Sequence, residues 1–345
     1  MKQTVYFVPF SGEGLGDRLF LPYKNPTANV PPFSYLRDYL RERGIEAKTI
    51  DFWDGGKNSA DTIISFDYPP TGVYGLAYFL RGLLGKKSGF AVGAGKLKKI
   101  LKSFKKRILF QWESPVNNPW MYKTWGGLHR YYDKIYSIPD FSGAERFYYP
   151  QNFDSWSGEY FDRPRDGFMV FMNGPRRAKG FFQKELYTKR EEAVEFFAKN
   201  GGIDVYGGGW DGHKSEAIRG AARGRADNKP ETFSRYKFAL CFENAIWPGY
   251  LTEKIFDCLL VGTIPIYLGD PEIEKKVSPG SFVDARKFSD YKELVEFLRS
   301  RSSDDLKNYR ESARNYLDSE GFKKFTKEFF AETVFGAINS GRLIK

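Results

Sequence analysis

The chain has 345 residues, enough for two domains, and its 41% hydrophobic and 18% aromatic content excludes a disordered or fibrous class. A net charge of +11 implies anionic company, whether a sugar nucleotide, a lipid surface or nucleic acid. No run reaches the roughly 18–20 apolar residues that span a bilayer, and the opening MKQTVYFVPF lacks the apolar core and cleavage site of a signal peptide. Cys241 and Cys258 lie in apolar runs and read as small buried hydrophobes, which fits a reducing compartment and a cytoplasmic location. His129 and His213 are far apart and do not have the spacing of a zinc site.

In chain order, Val5–Phe10 is expected to be the first strand. In SGEGLG, which follows it, Gly12, Gly14 and Gly16 fail the G-x-G-x-x-G spacing, so the segment reads as a strand-to-helix turn. Phe33–Arg43 has amphipathic helical spacing with Gly44 as its stop, and Glu46–Phe52 is the next strand, which argues for parallel α/β winding. Tyr68–Gly95 is irregular and reads as loop or short helix. GKLKKILKSFKKR then carries seven basic residues from Lys96 to Arg107, with Leu97, Ile100, Leu101 and Phe104 on one face of an expected basic amphipathic helix. That helix covers the sheet with a solvated basic face, or docks on an anionic membrane surface. Nucleic acid is disfavoured, because no recognisable binding module surrounds it. Ile108–Trp112 reads as a strand that delivers Glu113, in WESP, just past its carboxyl end. Trp120, Tyr122, Trp125, Tyr131, Tyr132 and Tyr136 are core residues or flat faces for sugars. The polar stretch Gln151–Pro164 reads as an interdomain linker.

Gly167–Met172 is the expected first strand of a second domain. After NGPRRAKG comes a helix with Leu186, Ala193, Val194 and Phe197 at its apolar positions and Arg190 among its charges. Ile203–Tyr206 is a strand ending in GGGWDG; Gly207, Gly209 and Gly212 match G-x-G-x-x-G formally, but the segment after them is too polar for the helix such a fingerprint needs. The most informative stretch is Arg235–Leu268, RYKFALCFENAIWPGYLTEKIFDCLLVGTIPIYL. Phe238–Phe242 is a buried strand, Pro248 and Gly249 break it, and Thr252 is an N-cap candidate with Glu253 and Lys254 in the first helical turn. Thr263–Leu268 is a second strand. The unit gathers Glu243, Asn244, Tyr250, Glu253 and Lys254 within twelve positions, where strand ends meet a helix start, the place open α/β sheets use for ligands and anions. A strand at Ser281–Ala285, a helix at Tyr291–Arg299 and a last amphipathic helix near Phe322–Phe335 complete the chain.

FEN at 242–244, GYLTEK at 249–254 and GTIPIYLG at 262–269 closely resemble the signature of glycosyltransferase family 10, the α-1,3/1,4-fucosyltransferases. WESP resembles the family's E-S-P motif, the glycine turn its Y-G-x-G turn, and SFVDARKFSDYKELVEFL its ending, so the resemblance covers Ile108–Arg299. It implies an α/β chain of GT-B type, two Rossmann-like domains facing a central cleft. Residues 1–155 would bind acceptor and carry the base, 156–315 would bind the GDP-sugar, and 316–345 would pack back across both.

The implied reaction is inverting, metal-independent transfer of L-fucose from GDP-fucose to a glycan hydroxyl. The family's acceptors imply α-1,3 transfer to a GlcNAc or glucose of an N-acetyllactosamine-like or lipopolysaccharide glycan, with α-1,4 left open. By the same resemblance Glu113 is the base. Arg190 and Lys254 hold the departing diphosphate, with Arg176 and Arg177 as alternatives to Arg190. Asn244, Tyr250 and Glu253 orient sugar and ribose hydroxyls. No metal or other cofactor is implied, in keeping with the lack of a D-x-D motif. Expected partners are GDP-fucose and an oligosaccharide or lipid-linked glycan, with peripheral contact to the inner membrane face through Lys96–Arg107. Two alternatives stand beside this reading: the same fold with another GDP-sugar, and a non-catalytic protein that binds nucleic acid or another polyanion through its basic charge.

Overall fold

Every strand pairing among the described residues is parallel, and the strands form two separate sheets. The structure, a computed structural model, describes residues 3–22, 32–55, 62–69, 76, 80, 89–123, 125–151, 158–178, 184–200 and 202–340. These fall into two units, the first built from residues 3–22, 32–150 and 325–340 and the second from 151–324.

The first sheet has the order β2-β1-β3-β4-β5-β6, from β1 (Gln3–Val8), β2 (Ile45–Thr49), β3 (Thr62–Phe66), β4 (Lys106–Gln111), β5 (Lys134–Ser137) and β6 (Glu145–Arg146). Strands covered on both faces have no polar alternation, and β3 accordingly reads TIISF with all five residues buried. Helix α1 (Phe33–Glu42) turns Phe33, Leu36 and Leu40 inward, and Gly44, at φ +74, takes the left-handed turn that starts the run into β2. Its outer partner comes from the far end of the chain. Helix α8 (Lys327–Asn339) belongs to this unit, with Phe330 edge-on to Phe33 and Trp112 and Phe335 edge-on to Tyr39.

The basic run does not form the helix expected from its spacing. Helix α2 (Ala94–Leu101) carries only Lys96, Lys98 and Lys99 and buries Leu97 and Leu101. Lys106 and Arg107 lie in β4, where sheet pairing with β3 overrides the helical pattern of the sequence. Lys106 donates to the Ile338 carbonyl at 2.8 Å, and Arg107 pairs with Asp133. Lys98 lies 4.9 Å over the Tyr131 ring. The continuous basic face proposed for a membrane surface is thus broken into cations with separate duties. Most of Gly72–Phe90, like Asn152–Ser157 in the expected linker, lies outside the described residues, as do the Trp120 and Trp125 side chains. Tyr132 and Tyr136 are core residues.

The second sheet has the order β11-β10-β9-β7-β8, from β7 (Gly167–Met172), β8 (Asp204–Tyr206), β9 (Tyr236–Phe242), β10 (Ile264–Leu268) and β11 (Val283–Asp284). The chain lays β8 on one side of β7 and then returns to place β9 on the other. The winding reverses between β7 and β9, and their carboxyl ends frame the crevice such sheets leave open. Around the sheet pack α3 (Tyr187–Lys199), α4 (Lys229–Ser234), α5 (Glu253–Leu259), α6 (Tyr291–Arg299) and α7 (Ser303–Leu317). Phe197, Val205, Phe238, Ile264, Ile266, Leu294 and Leu298 are among their buried side chains, each contributing about 1.5–3 kcal/mol on burial. The caps follow the sequence: Asn228, Asp290 and Ser302 accept backbone N–H groups at the starts of α4, α6 and α7, and Ser302 with Asp305 completes a capping box. Helix α5 is different, and its start is the centre of the site.

Candidate functional site

Thr252 occupies the N-cap position of α5 with extended dihedrals, but its side chain makes no capping bond. Its hydroxyl turns instead to Glu243, the first residue after β9, which is wholly buried. The Glu243 carboxylate accepts the Thr252 N–H at 2.8 Å, the Thr252 hydroxyl at 2.9 Å and the Lys254 ammonium at 3.0 Å. The ammonium also donates to Thr252 Oγ at 2.8 Å and lies 3.5 Å from Glu253. One buried carboxylate therefore joins the end of β9 to the first turn of α5. Gly269 makes room for it: a Cβ there would lie 2.5 Å from Glu243 Cγ and 2.6 Å from the Tyr267 hydroxyl.

Arg190 reaches the same place from α3. Its Nε and Nη2 donate to the Phe242 carbonyl at 2.9 and 2.6 Å, and Nη2 also donates to Asn244 Oδ1 at 2.8 Å. Asn244 passes the chain of bonds on, donating to the Tyr250 hydroxyl at 3.0 Å. The backbone supports it, because Leu186 N–H donates to the Asn244 carbonyl and Ile246 N–H to the Lys184 carbonyl, tying the approach to α3 to the loop after β9. Arg190 is only 4% exposed. Its Nη1 finds no hydrogen-bond partner among the described residues.

The charges here are closely balanced. Burial works to raise the Glu253 carboxyl, but Lys254 and Lys229 together with local hydrogen bonds bring it down to about 2. Burial pulls the Lys254 ammonium down, and Glu243 and Glu253 more than offset it, so its pKa is raised. Lys229 is likewise raised against its burial, by Asp257, with which it forms an ion pair, and by Glu253. Burial lowers the pKa of Arg190. Arg190, Lys229 and Lys254 thus face Glu243, Glu253 and Asp257.

The structure places Arg190, Asn244 and Tyr250 in one bonded set and Glu253 and Lys254 in a second, around Glu243, and the two meet through the backbone of residues 242–244 in the second unit. Arg176 and Arg177 are exposed on the loop after β7 and line a surface groove with Glu185, Glu191 and Lys214. The glycine turn after β8 abuts that loop: Gly207, at φ +141, would put a Cβ 2.6 Å from the Asn173 carbonyl oxygen, and Trp210 donates to the same oxygen at 2.6 Å. Among the described residues no group of His, Cys, Asp or Glu is arranged to hold a metal ion, and no helix is long and apolar enough to cross a membrane.

Glu113 belongs to the first unit, just past β4 and half-buried. The Asn117 side-chain amide donates to its Oε2, and the Tyr122 hydroxyl to its backbone carbonyl. No motif or spacing in the sequence marks the residue that underlies it. Asp67, just past β3 and at φ +55, accepts the Trp112 N–H at 2.7 Å and the Glu113 N–H at 3.2 Å, both on Oδ1. Burial and the nearby Glu113 push the Asp67 carboxyl up to about 8. Glu243 was in view as part of the motif, but nothing in its spacing marked it as the hub. An isolated Asp after an apolar strand gave less still.

Comparison with known proteins bears on the second unit most strongly. Residues 181–326 match the family model described as glycosyltransferase family 10 (fucosyltransferase) C-term. The α-(1,3)-fucosyltransferase FucT of Helicobacter pylori is 36% identical over 109 residues, 31% of this chain and 23% of that protein. The α-(1,3)-fucosyltransferase B of Drosophila melanogaster is 28% identical over 214 residues, 60% of this chain and 47% of its own. GDP-fucose protein O-fucosyltransferase 3 of Homo sapiens is 35% identical over 91 residues, 26% of this chain and 19% of that protein. The matched segments thus span less than half the length of these relatives. A crystal structure of an α1,3-fucosyltransferase aligns over 99% of this chain and 91% of its own at 16% identity with a TM-score of 0.55. An α-glucosyltransferase in complex with UDP and DNA aligns over 97% and 98% at 15% identity with a TM-score of 0.53. These structures share the α/β fold with two parallel sheets, the GT-B fold. Through residues 181–326 the chain is similar to the C-terminal part of glycosyltransferase family 10, the fucosyltransferases.

Proposed function

We propose that this chain transfers L-fucose from GDP-fucose to a hydroxyl of a glycan acceptor, with inversion and without a metal ion. The observation that carries the proposal is the pair of bonded sets at the end of β9, Arg190 with Asn244 and Tyr250 and Lys254 with Glu253, which lies inside the family-matched segment and at the β7/β9 reversal. In this reading Asn244, Tyr250 and Glu253 offer the donors and acceptors that fix ribose and fucose hydroxyls. Arg190, through Nη1, and Lys254 stabilise the charge that builds on the departing diphosphate. Glu113 takes the proton of the attacking hydroxyl. Likeness to α-(1,3)-fucosyltransferases favours an α-1,3 linkage, on N-acetyllactosamine-like or lipopolysaccharide glycan.

The test begins with thermal unfolding in the presence of GDP or UDP, with and without chelator. A ligand at about 100 times its Kd adds about 2.7 kcal/mol, so GDP is expected to raise the midpoint, UDP to raise it less, and chelator to change neither. Transfer is then measured with GDP-fucose and N-acetyllactosamine. Glu113→Gln is expected to abolish transfer and keep GDP binding; Lys254→Ala is expected to weaken GDP binding. Wild-type transfer in both variants, or no response to GDP, would overturn the reading.

A further inference from the structure

The Glu113 turn is held from below by a carboxyl group that the reaction as proposed does not use. Asp67 continues the sheet through its own N–H, which donates to the Phe110 carbonyl at 2.8 Å. It then bends into the left-handed region, at φ +55, which among non-glycine residues Asp and Asn adopt most readily. That bend lets a single oxygen, Oδ1, accept the N–H groups of both Trp112 and Glu113. Around it the neighbouring strand end is cross-tied: Tyr68 N–H donates to Gln111 Oε1, Gln111 Nε2 to the Glu113 carbonyl, and Asn118 Nδ2 to the Tyr68 carbonyl.

We propose that Asp67 is the positioning residue of Glu113: by gathering the two amides that enter the WESP turn, it sets the direction in which the Glu113 carboxylate leaves β4. This rests on Glu113 being the base of the proposed transfer. Asp67 is 6% exposed, and its Oδ2 has no hydrogen-bond partner among the described residues. With Oδ1 occupied by two donors, a proton on the carboxyl sits on Oδ2. The ionisable groups that face it are Glu113 from the end of β4 and Tyr122 from the segment 119–123, with the buried Tyr68 next to it in sequence. No cation is among the groups that shift it, and the carboxyl is accordingly neutral until about pH 8. At neutral pH Asp67 thus acts as an uncharged acceptor of two amides.

The test uses Asp67→Ala, Asp67→Asn and Glu113→Gln in the full chain, with GDP-fucose and a glycan acceptor. Asp67→Ala removes the acceptor and is expected to lower kcat by on the order of 100-fold, the loss a misdirected base produces. Its KM for GDP-fucose and its GDP-induced stabilisation are expected to stay within about twofold. Asp67→Asn keeps Oδ1, tolerates the same backbone, and is expected to restore kcat at pH 7 to within threefold of wild type. The wild-type kcat profile is expected to show an ionisation near pH 8 that Asp67→Asn lacks. If Asp67→Ala fails to fold, the Asp67→Asn profile decides alone. Full kcat in Asp67→Ala, an Asn variant as impaired as Ala, or an unchanged ionisation in Asp67→Asn would overturn the proposal. Wild-type transfer by Glu113→Gln would instead sink the assignment of the base, whatever the Asp67 variants do.

Discussion

The ion pair between Glu243 and Lys254 is the most consequential contact in the second unit, and a double-mutant cycle isolates it. Glu243→Gln removes one charge and keeps the side chain's shape; Lys254→Met removes the other and keeps its stem. At 3.0 Å and an effective dielectric of about 20, the gross attraction is roughly 5–6 kcal/mol. Desolvation opposes it, since Glu243 is fully buried and the Lys254 side chain is 10% exposed. Glu253, 3.5 Å from the same ammonium, partly compensates when Glu243 is neutralised. The single change at Glu243 is therefore expected to cost about 3–5 kcal/mol, the usual penalty for stranding a buried partner. The coupling energy across the cycle is expected near 2–3 kcal/mol. Urea unfolding followed by tryptophan fluorescence reads both, provided the m-value is unchanged among variants. Additivity to within about 0.5 kcal/mol would refute the reasoning. The start of α5 would then be held by the neutral Thr252 bonds, and the carboxylate would serve some purpose other than fixing Lys254.

Other outcomes follow from the same geometry. The Glu253 pKa is depressed from 4.5 to about 2, so its stabilisation is present above pH 4.5 and lost as pH falls toward 2. With 22% of the side chain exposed, the loss is expected at about 2 kcal/mol, and Glu253→Gln should flatten the acid limb of a stability–pH curve over that window. Asp67 has the opposite sign: its folded pKa is raised from 3.8 to about 8, so the unfolded chain ionises first and stability declines across that interval. Asp67→Asn is accordingly expected to exceed wild type in denaturant midpoint at pH 7 and to match it at pH 3.5; equal midpoints at pH 7 would show that Asp67 ionises freely in the fold. Gly269→Ala forces a methyl against Glu243 and Tyr267 and is expected to cost about 1–3 kcal/mol, read as a lower thermal midpoint with the first unit's transition unchanged.

The sequence was most legible where one pattern sufficed. Gly167–Met172 and Tyr291–Arg299 have their expected boundaries, because an unbroken apolar run and a capped 3.6-residue repeat each allow one reading. The basic run shows the limit. Leu97, Leu101 and Phe104 do point inward, but a helical wheel cannot register that Lys106 and Arg107 are claimed by a parallel strand whose partner, β3, lies forty residues away in the chain. The end of the first strand was misplaced for a related reason. Val5–Phe10 is apolar almost throughout, yet pairing with β2 and β3 stops at Val8, and Phe10 continues half-buried without ladder bonds, packed on Phe66 and Trp112.

For the site, residue types were legible and their relations were not. The motif 242–254 collected the right side chains, since residues near one strand end and the next helix start must fall close together. What it could not show is which of them spend their hydrogen bonds on each other. Arg190 and Lys254 were chosen as cations for a phosphate, and both turn out to be framework groups as well: Arg190 gives Nε and Nη2 to β9 and its loop, and Lys254 gives its ammonium to Glu243 and Thr252. A buried cation needs a nearby carboxylate to stay charged, so a site meant to receive an anion without collapsing when empty must carry its own counter-charges. Glu243 and Glu253 supply them. On the role proposed for Lys254, a diphosphate competes with those carboxylates for its ammonium, so neutralising Glu243 is expected to weaken the fold and at the same time strengthen retention of GDP. Equilibrium binding of GDP to Glu243→Gln below its unfolding midpoint measures this. Weaker binding in step with the lost stability would mean that Glu243 orders the pocket and does not rival the ligand for its cation.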